Sequence, residues 1–214
     1  DGVSLVYIKL YPWIGLALSG FMYLVGSYED NLGIFKGISL FCGVVNILGV
    51  IISFIPYLVN AWKALIYYLI ALTVLSLVIG LDFIGLLMVI SDGSPIGAKE
   101  IYQSPLTPFY VIFILLLFIF ACGLYAWYYL PKNQGKVWAF NQVKEGDRKK
   151  RWWNNFAIAF AGATIIPSLL TGYIQIAFGV LLGILFTLTL PAVIVDAIYA
   201  AIYIRKHPDS DGLV

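Results

Sequence analysis

Long uninterrupted apolar runs constrain this sequence more than any other feature, and Phe109–Leu130 is the clearest of them. A helix needs roughly 20 apolar residues to cross the hydrocarbon core of a bilayer. Transmembrane β-strands instead alternate apolar and polar residues over short stretches, which these runs do not do. The chain is 62% hydrophobic and 11% charged, whereas soluble domains carry about 25% charged residues. We therefore predict an all-α integral membrane protein with a single polytopic domain over residues 1–214.

The apolar runs predict about six transmembrane helices. Pro56 and Pro131 are expected to close the second and fourth helices, and Pro191 is expected to kink the sixth. Breaking the sixth run at Pro191 would give a seven-helix alternative. The approximate spans are 5–25, 38–57, 64–90, 109–130, 152–170 and 173–204.

Lysine and arginine divide unevenly between the two sides of a six-helix chain. Of the 13 such residues, all but Lys36 and Lys99 lie on the side that carries both chain ends and the loop 132–151. Basic loops are retained in the cytoplasm. We therefore predict that both termini and this loop, between the fourth and fifth helices, are cytoplasmic in a multi-pass plasma-membrane protein. The seven-helix alternative would move Arg205 and Lys206 outside and fits the pattern less well.

Asp82 lies inside the third apolar run and is a candidate polar site, because an ionisable group within a membrane span is costly and commonly functional. The alternative is that the helix ends near Gly80, so that Asp82 meets water among the lipid headgroups. Gly80 and Gly85 flank the carboxylate and weaken a helix, which favours this alternative.

Lys9 and Asp196 enter the first and last predicted helices from the same side and at similar depth. An ion pair between them would lower the cost of burying either charge. Such a pair could hold a proton or cation, or could clamp two helices together. The two side chains could also reach the interface separately. We favour the structural roles.

Cys42 and Cys122 raise the possibility of a membrane thiol–disulfide carrier. Their predicted depths differ by roughly 13 Å, whereas a disulfide needs Cα atoms within about 7 Å. Packing roles are therefore expected, without a disulfide between them.

The hydrophilic loop 132–151 carries seven basic and two acidic residues, a net charge of +5. Orienting the chain in the membrane is its simplest role, and it could also lie on anionic headgroups or dock a cytoplasmic partner. Nucleic-acid binding is not expected. The basic surface consists of Lys132, Lys136, Lys144, Arg148, Lys149, Lys150 and Arg151.

Small residues recur at four-residue spacing late in the chain and predict close helix packing. Ala157 pairs in this way with Ala161, and Gly179 pairs with Gly183. The fifth and sixth helices are therefore predicted to form a tight hairpin.

The inventory of chemical groups excludes several classes of enzyme. The one histidine, His207, lies in the polar tail, whereas membrane haem, copper and non-haem iron sites rely on histidine ligands. The sequence has no Gly-rich phosphate loop, no His-Glu-x-x-His and no Gly-x-Ser-x-Gly. No catalytic or metal site is expected, and no cofactor is expected to be bound by this chain alone, although structural lipids are.

Two functions agree with these observations. The favoured one is a non-catalytic accessory or structural subunit of a multi-subunit membrane complex, for example of a respiratory or electron-transport type. The alternative is a small-solute transporter or the substrate-binding membrane component of one. The expected partners are membrane lipids and other membrane protein subunits.

Overall fold

The computed structural model describes residues 4–26, 33–91, 98–130, 133 and 173–206. All regular secondary structure within these residues is helical. A 3-10 helix, Leu5–Lys9, precedes the α-helices. These are α1 (Tyr11–Gly26), α2 (Ile34–Ser53), α3 (Pro56–Ala61), α4 (Lys63–Ile90), α5 (Ala98–Gln103), α6 (Leu106–Tyr128), α7 (Ile174–Thr189) and α8 (Pro191–Lys206).

Four helical stretches are long and apolar enough to cross a membrane: α2, α4, α6 and the 33-residue stretch Ile174–Lys206 that α7 and α8 form together. The chain is therefore a multi-pass membrane protein. The predicted spans 38–57, 64–90, 109–130 and 173–204 each overlap one of these helices. The predicted span 152–170 lies outside the described residues.

Two prolines lie in the first turns of helices, and for Pro56 this differs from the prediction. Pro12 lies in the first turn of α1, after the 3-10 helix has ended, so the predicted span 5–25 is divided. Pro56 does not close the second helix, because α2 ends at Ser53 and Pro56 begins the short helix α3. Proline lacks a backbone N–H and fits the first turn of a helix, where that group has no helical partner.

Helix α4 is the centre of the bundle. It contacts α1, α2, α6, α7 and α8, and its buried residues extend from Ile66 to Val89. A helix covered on several sides has no polar face to keep in water, which explains why its sequence is apolar all round.

The first three long helices alternate in direction. Pro12 and Gly15 of α1 lie against Gly49 and Asn46 of α2, so α1 and α2 are antiparallel. The Phe35 and Phe83 ring centroids are 5.5 Å apart, and α2 pairs in the opposite direction with α4.

Helices α7 and α8 run antiparallel to α4 along its length. Gly179 lies against Gly85, and Ala201 shares a buried cluster with Ile66. Leu190, between the two helices, has helical torsion angles of φ −68° and ψ −29°. The helix is interrupted at Pro191, but the chain keeps its direction there. The seven-helix alternative requires a hairpin at this position, and none is formed.

Helix α6 runs in the same direction as α7 and α8. Near its start, Tyr110 contacts Gly183. Further along, the Tyr125 hydroxyl donates a hydrogen bond to the Leu188 carbonyl at 2.8 Å, and the Tyr129 hydroxyl donates to Asp196 Oδ1. Helix α6 and the stretch formed by α7 and α8 are therefore parallel, although they follow each other among the described residues.

Candidate functional site

A cavity of about 530 Å³ lies between α2, α4 and α6, with Met22 of α1 at its edge. Helix α4 contributes its floor, and α2 and α6 contribute its walls. Its lining is apolar except for two side chains, Asp82 and Tyr110. The apolar lining is Met22, Phe35, Gly37, Ile38, Phe41, Leu75, Val78, Ile79, Phe83, Leu86, Val111, Ile114, Leu115 and Phe118.

Asp82 lies well inside α4, which continues to Ile90. The side chain is only 9% exposed to solvent. The alternative that the helix ends near Gly80 and leaves Asp82 in headgroup water is therefore wrong for this fold. The flanking glycines are packing positions rather than a helix end: a Cβ atom at Gly80 would lie 2.8 Å from Leu18 Cβ.

Thr187 of α7 is the hydrogen-bonding partner of Asp82. Its hydroxyl lies 3.1 Å from Asp82 Oδ1 and 3.0 Å from Oδ2, so one donor is shared between the two carboxylate oxygens. Thr187 is fully buried. Pro191, four residues later, cannot donate to the Thr187 carbonyl, so the helix is irregular beside this contact.

Tyr110 of α6 brings a second polar group to the same place. Its side chain is 7% exposed, and its hydroxyl has no hydrogen-bonding partner among the described residues. The hydroxyl lies against Gly85 of α4 and Gly183 of α7, where any side chain would collide with it. Sequence analysis did not identify Tyr110 or Thr187.

Gly179 and Gly183 both lie in close contacts with other helices, and the structure shows which helices they meet. A Cβ atom at Gly179 would lie 2.6 Å from the Gly85 carbonyl oxygen on α4. Gly183 accommodates Tyr110 from α6. The predicted partner helix, with Ala157 and Ala161, lies outside the described residues, so the proposed hairpin stays a prediction.

Asp196 belongs to a separate polar cluster at the other end of α6. It accepts a hydrogen bond from the Tyr129 hydroxyl. The Tyr129 ring stacks on Tyr199 with centroids 4.5 Å apart and an interplanar angle of 13°. Asp196 is not among the residues that line the cavity, and the cluster links α6 to α8.

Lys9 ends the 3-10 helix and is exposed. The neighbouring Ile8 packs in one cluster with Ile194 and Ala197 of α8. The structure therefore places the chain around Lys9 near the chain around Asp196, and the ion pair between them stays a prediction.

Cys42 and Cys122 are both free thiols, and Cys42 is buried. Beside Cys42, the Asn46 side-chain amide donates to the Cys42 carbonyl at 2.8 Å and to the Ser76 hydroxyl at 2.6 Å. This network joins α2 to α4, and it lies outside the cavity lining.

The seven basic residues of the loop 132–151 lie outside the described residues. Within residues 4–26, 33–91, 98–130 and 173–206, no group of three or more histidine, cysteine, aspartate or glutamate side chains is arranged to hold a metal ion. Of the polar groupings described above, the contact of Asp82 with Thr187 is the one that borders the cavity.

Comparisons with protein-family models, with curated proteins and with solved structures find no match to this chain.

Proposed function

We propose that this chain binds a small, largely apolar solute within its helix bundle, as a transporter or as the substrate-binding membrane component of one. The proposed role is non-catalytic. The observation that carries it is the cavity of about 530 Å³ between α2, α4 and α6. Cavities that bind small molecules are commonly about 300–1,000 Å³, apolar, and provided with a few polar groups that orient the ligand. Asp82 supplies such a group here.

Filling the cavity from α2 tests this proposal. Ile38 lines the cavity, so Ile38→Trp is expected to displace most of the bound solute by occupying its space. The measurement is native mass spectrometry of the protein extracted into lipid nanodiscs, where a retained small molecule appears as a defined added mass.

Ile47→Trp is the matched control for this experiment. Ile47 lies on the same helix, is 47% exposed and does not line the cavity. The wild type and Ile47→Trp should retain the added mass. Equal retention by Ile38→Trp would contradict binding in the cavity.

A role as an accessory subunit is the second candidate, and the outer face of α6 supports it. Phe109, Leu116 and Phe120 follow one face of this helix and are 73%, 63% and 63% exposed. A broad apolar face on a membrane helix is covered by lipid or by another polypeptide, and aromatic residues are enriched in contacts between proteins. The basic loop 132–151 follows the same helix and offers a cytoplasmic contact to the same partner.

Photo-crosslinking distinguishes lipid from protein on this face. With p-benzoylphenylalanine at Leu116, an accessory subunit should form an adduct with one defined polypeptide in native membranes. The same amino acid at Ile47, which is also exposed but on α2, serves as the control. Lipid adducts alone at both positions would argue against the accessory role.

We also propose that the chain crosses the plasma membrane six times, with both termini in the cytoplasm. The parallel course of α6 and α7–α8 supports this number. Helix α6 ends beside Asp196, whereas Gly179, early in α7, lies by Met88 and Val89 near the end of α4. These described ends of α6 and α7 lie at opposite ends of the bundle, which supports one further crossing of the membrane between them.

A further inference from the structure

The carboxylate of Asp82 has unused capacity for a ligand. An ionised carboxylate offers about four acceptor positions, and among the described residues it receives a single shared donor, Thr187. An ionised carboxylate in an apolar environment is costly unless it is paired. No lysine, arginine or histidine is among the residues that line the cavity. A positive group brought by the ligand would supply the pairing that this lining does not.

Tyr110 belongs to the cavity lining through its ring. Its hydroxyl is buried and lies between Gly85 of α4 and Gly183 of α7, so it faces the contact between these two helices rather than the cavity. Asp82 is therefore the polar group that the described lining offers to a ligand.

The rest of the cavity selects against a bare metal ion. Such ions need several converging oxygen ligands, whereas the described lining provides one carboxylate and one phenol. Phe35, Phe41 and Phe118 and the surrounding aliphatic side chains instead match an apolar body. Aromatic faces also attract organic cations.

We propose that the solute is an amphiphilic organic monocation, whose positive group pairs with Asp82 while its apolar body fills the space between α2 and α6. This inference rests on the proposed solute-binding function and specifies the chemical class of the solute.

Binding of radiolabelled decyltrimethylammonium, which has a positive head group and an apolar tail, to the full-length protein in nanodiscs tests this inference, with empty nanodiscs giving the background. The wild type should show saturable binding. Asp82→Asn keeps the size of the side chain and removes its charge, so it should bind about tenfold more weakly or worse.

Asp196→Asn is the matched control, because Asp196 is also an aspartate on a long apolar helix but does not line the cavity. It should bind the probe as the wild type does. Near-identical melting temperatures of all variants in the same nanodiscs would show that a loss of binding does not result from a loss of folding. If Asp82→Asn melts early, Asp82→Glu should restore binding at least in part, because it restores the charge.

The outcomes separate this inference from the proposed function. If Ile38→Trp weakens binding of the probe and Asp82→Asn does not, the cavity binds solutes but the inferred charge pairing is wrong. If neither substitution weakens binding, the probe binds elsewhere and the inference fails, whereas the proposed function still depends on the native mass spectrometry of Ile38→Trp. Absence of saturable binding by the wild type would overturn the inference.

Discussion

Gly179→Leu is expected to lower the melting temperature of the purified protein by roughly 5–10 °C, because overpacking a close helix contact costs about 1–3 kcal/mol. A Cβ atom at this position would lie 2.6 Å from the Gly85 carbonyl oxygen and 2.8 Å from Met88 Cβ. Backbone atoms of α4 cannot move aside without shifting the helix, so α4 and α7 would separate. The same separation would disturb the hydrogen bond between Asp82 and Thr187. Thermal unfolding in one detergent, followed by circular dichroism, measures the effect.

Gly123→Leu is the control for this substitution. Gly123 lies on α6, and a Cβ atom there would meet nothing within 4 Å among its described surroundings. Because leucine also favours the helical conformation more than glycine does, this variant should melt at the wild-type temperature or slightly above it. A melting temperature unchanged in Gly179→Leu would mean that α4 and α7 do not approach each other at this position.

The long apolar runs indicate the helices whether the sides of a helix are buried or exposed. The span predicted at 64–90 corresponds to α4, Lys63–Ile90, and the more exposed α6 has an equally apolar sequence. The prediction was poorer where proline marks a boundary. Pro56 suits either the end of one helix or the start of the next, and only the packing of the chain decides between them.

One of the three polar residues of the candidate site was visible in the sequence. Asp82 stands out because a carboxylate in an apolar run is unusual. Thr187 does not stand out, since threonine is common in membrane helices and its partner lies 105 residues away in the chain. Tyr110 resembles an ordinary aromatic residue near a helix end, and its role depends on space left by glycines on two other helices.

The glycines beside Asp82 show why the sequence wrongly favoured a helix end near this residue. Helix propensity measures the cost of glycine in an isolated helix, and on that basis Gly80 and Gly85 indicated a helix end. In the bundle, Gly80 receives Leu18, and Gly85 receives both Tyr110 and the Gly179 backbone. Close packing outweighs the local preference, so the helix continues and carries Asp82 into the interior.

The proposed topology predicts an all-or-none labelling pattern in intact cells. In a background with Cys42→Ala and Cys122→Ala, a cysteine at Ser94 should react with a membrane-impermeant maleimide. Cysteines at Lys144 and Ser210 should react only after the membrane is permeabilised. Ser94 lies between α4 and α6, and Lys144 lies in the loop whose net charge of +5 favours the cytoplasm. Comparing labelling before and after permeabilisation makes each position its own control for reactivity.

The position at Ser210 tests the number of crossings as well as their direction. One long apolar helix, α6, separates Ser94 from Lys144, so these two positions should lie on opposite sides of the membrane. This expectation does not depend on how often the chain crosses the membrane after Lys144. Lys144 and Ser210 lie on the same side only if the chain crosses the membrane an even number of times between them, once within Ile174–Lys206 and once before it. External labelling at both Lys144 and Ser210 would invert the orientation and retain six crossings. External labelling at Ser210 with Lys144 protected would mean that the chain does not cross the membrane between Lys144 and Ile174. That result would contradict the parallel courses of α6 and α7–α8.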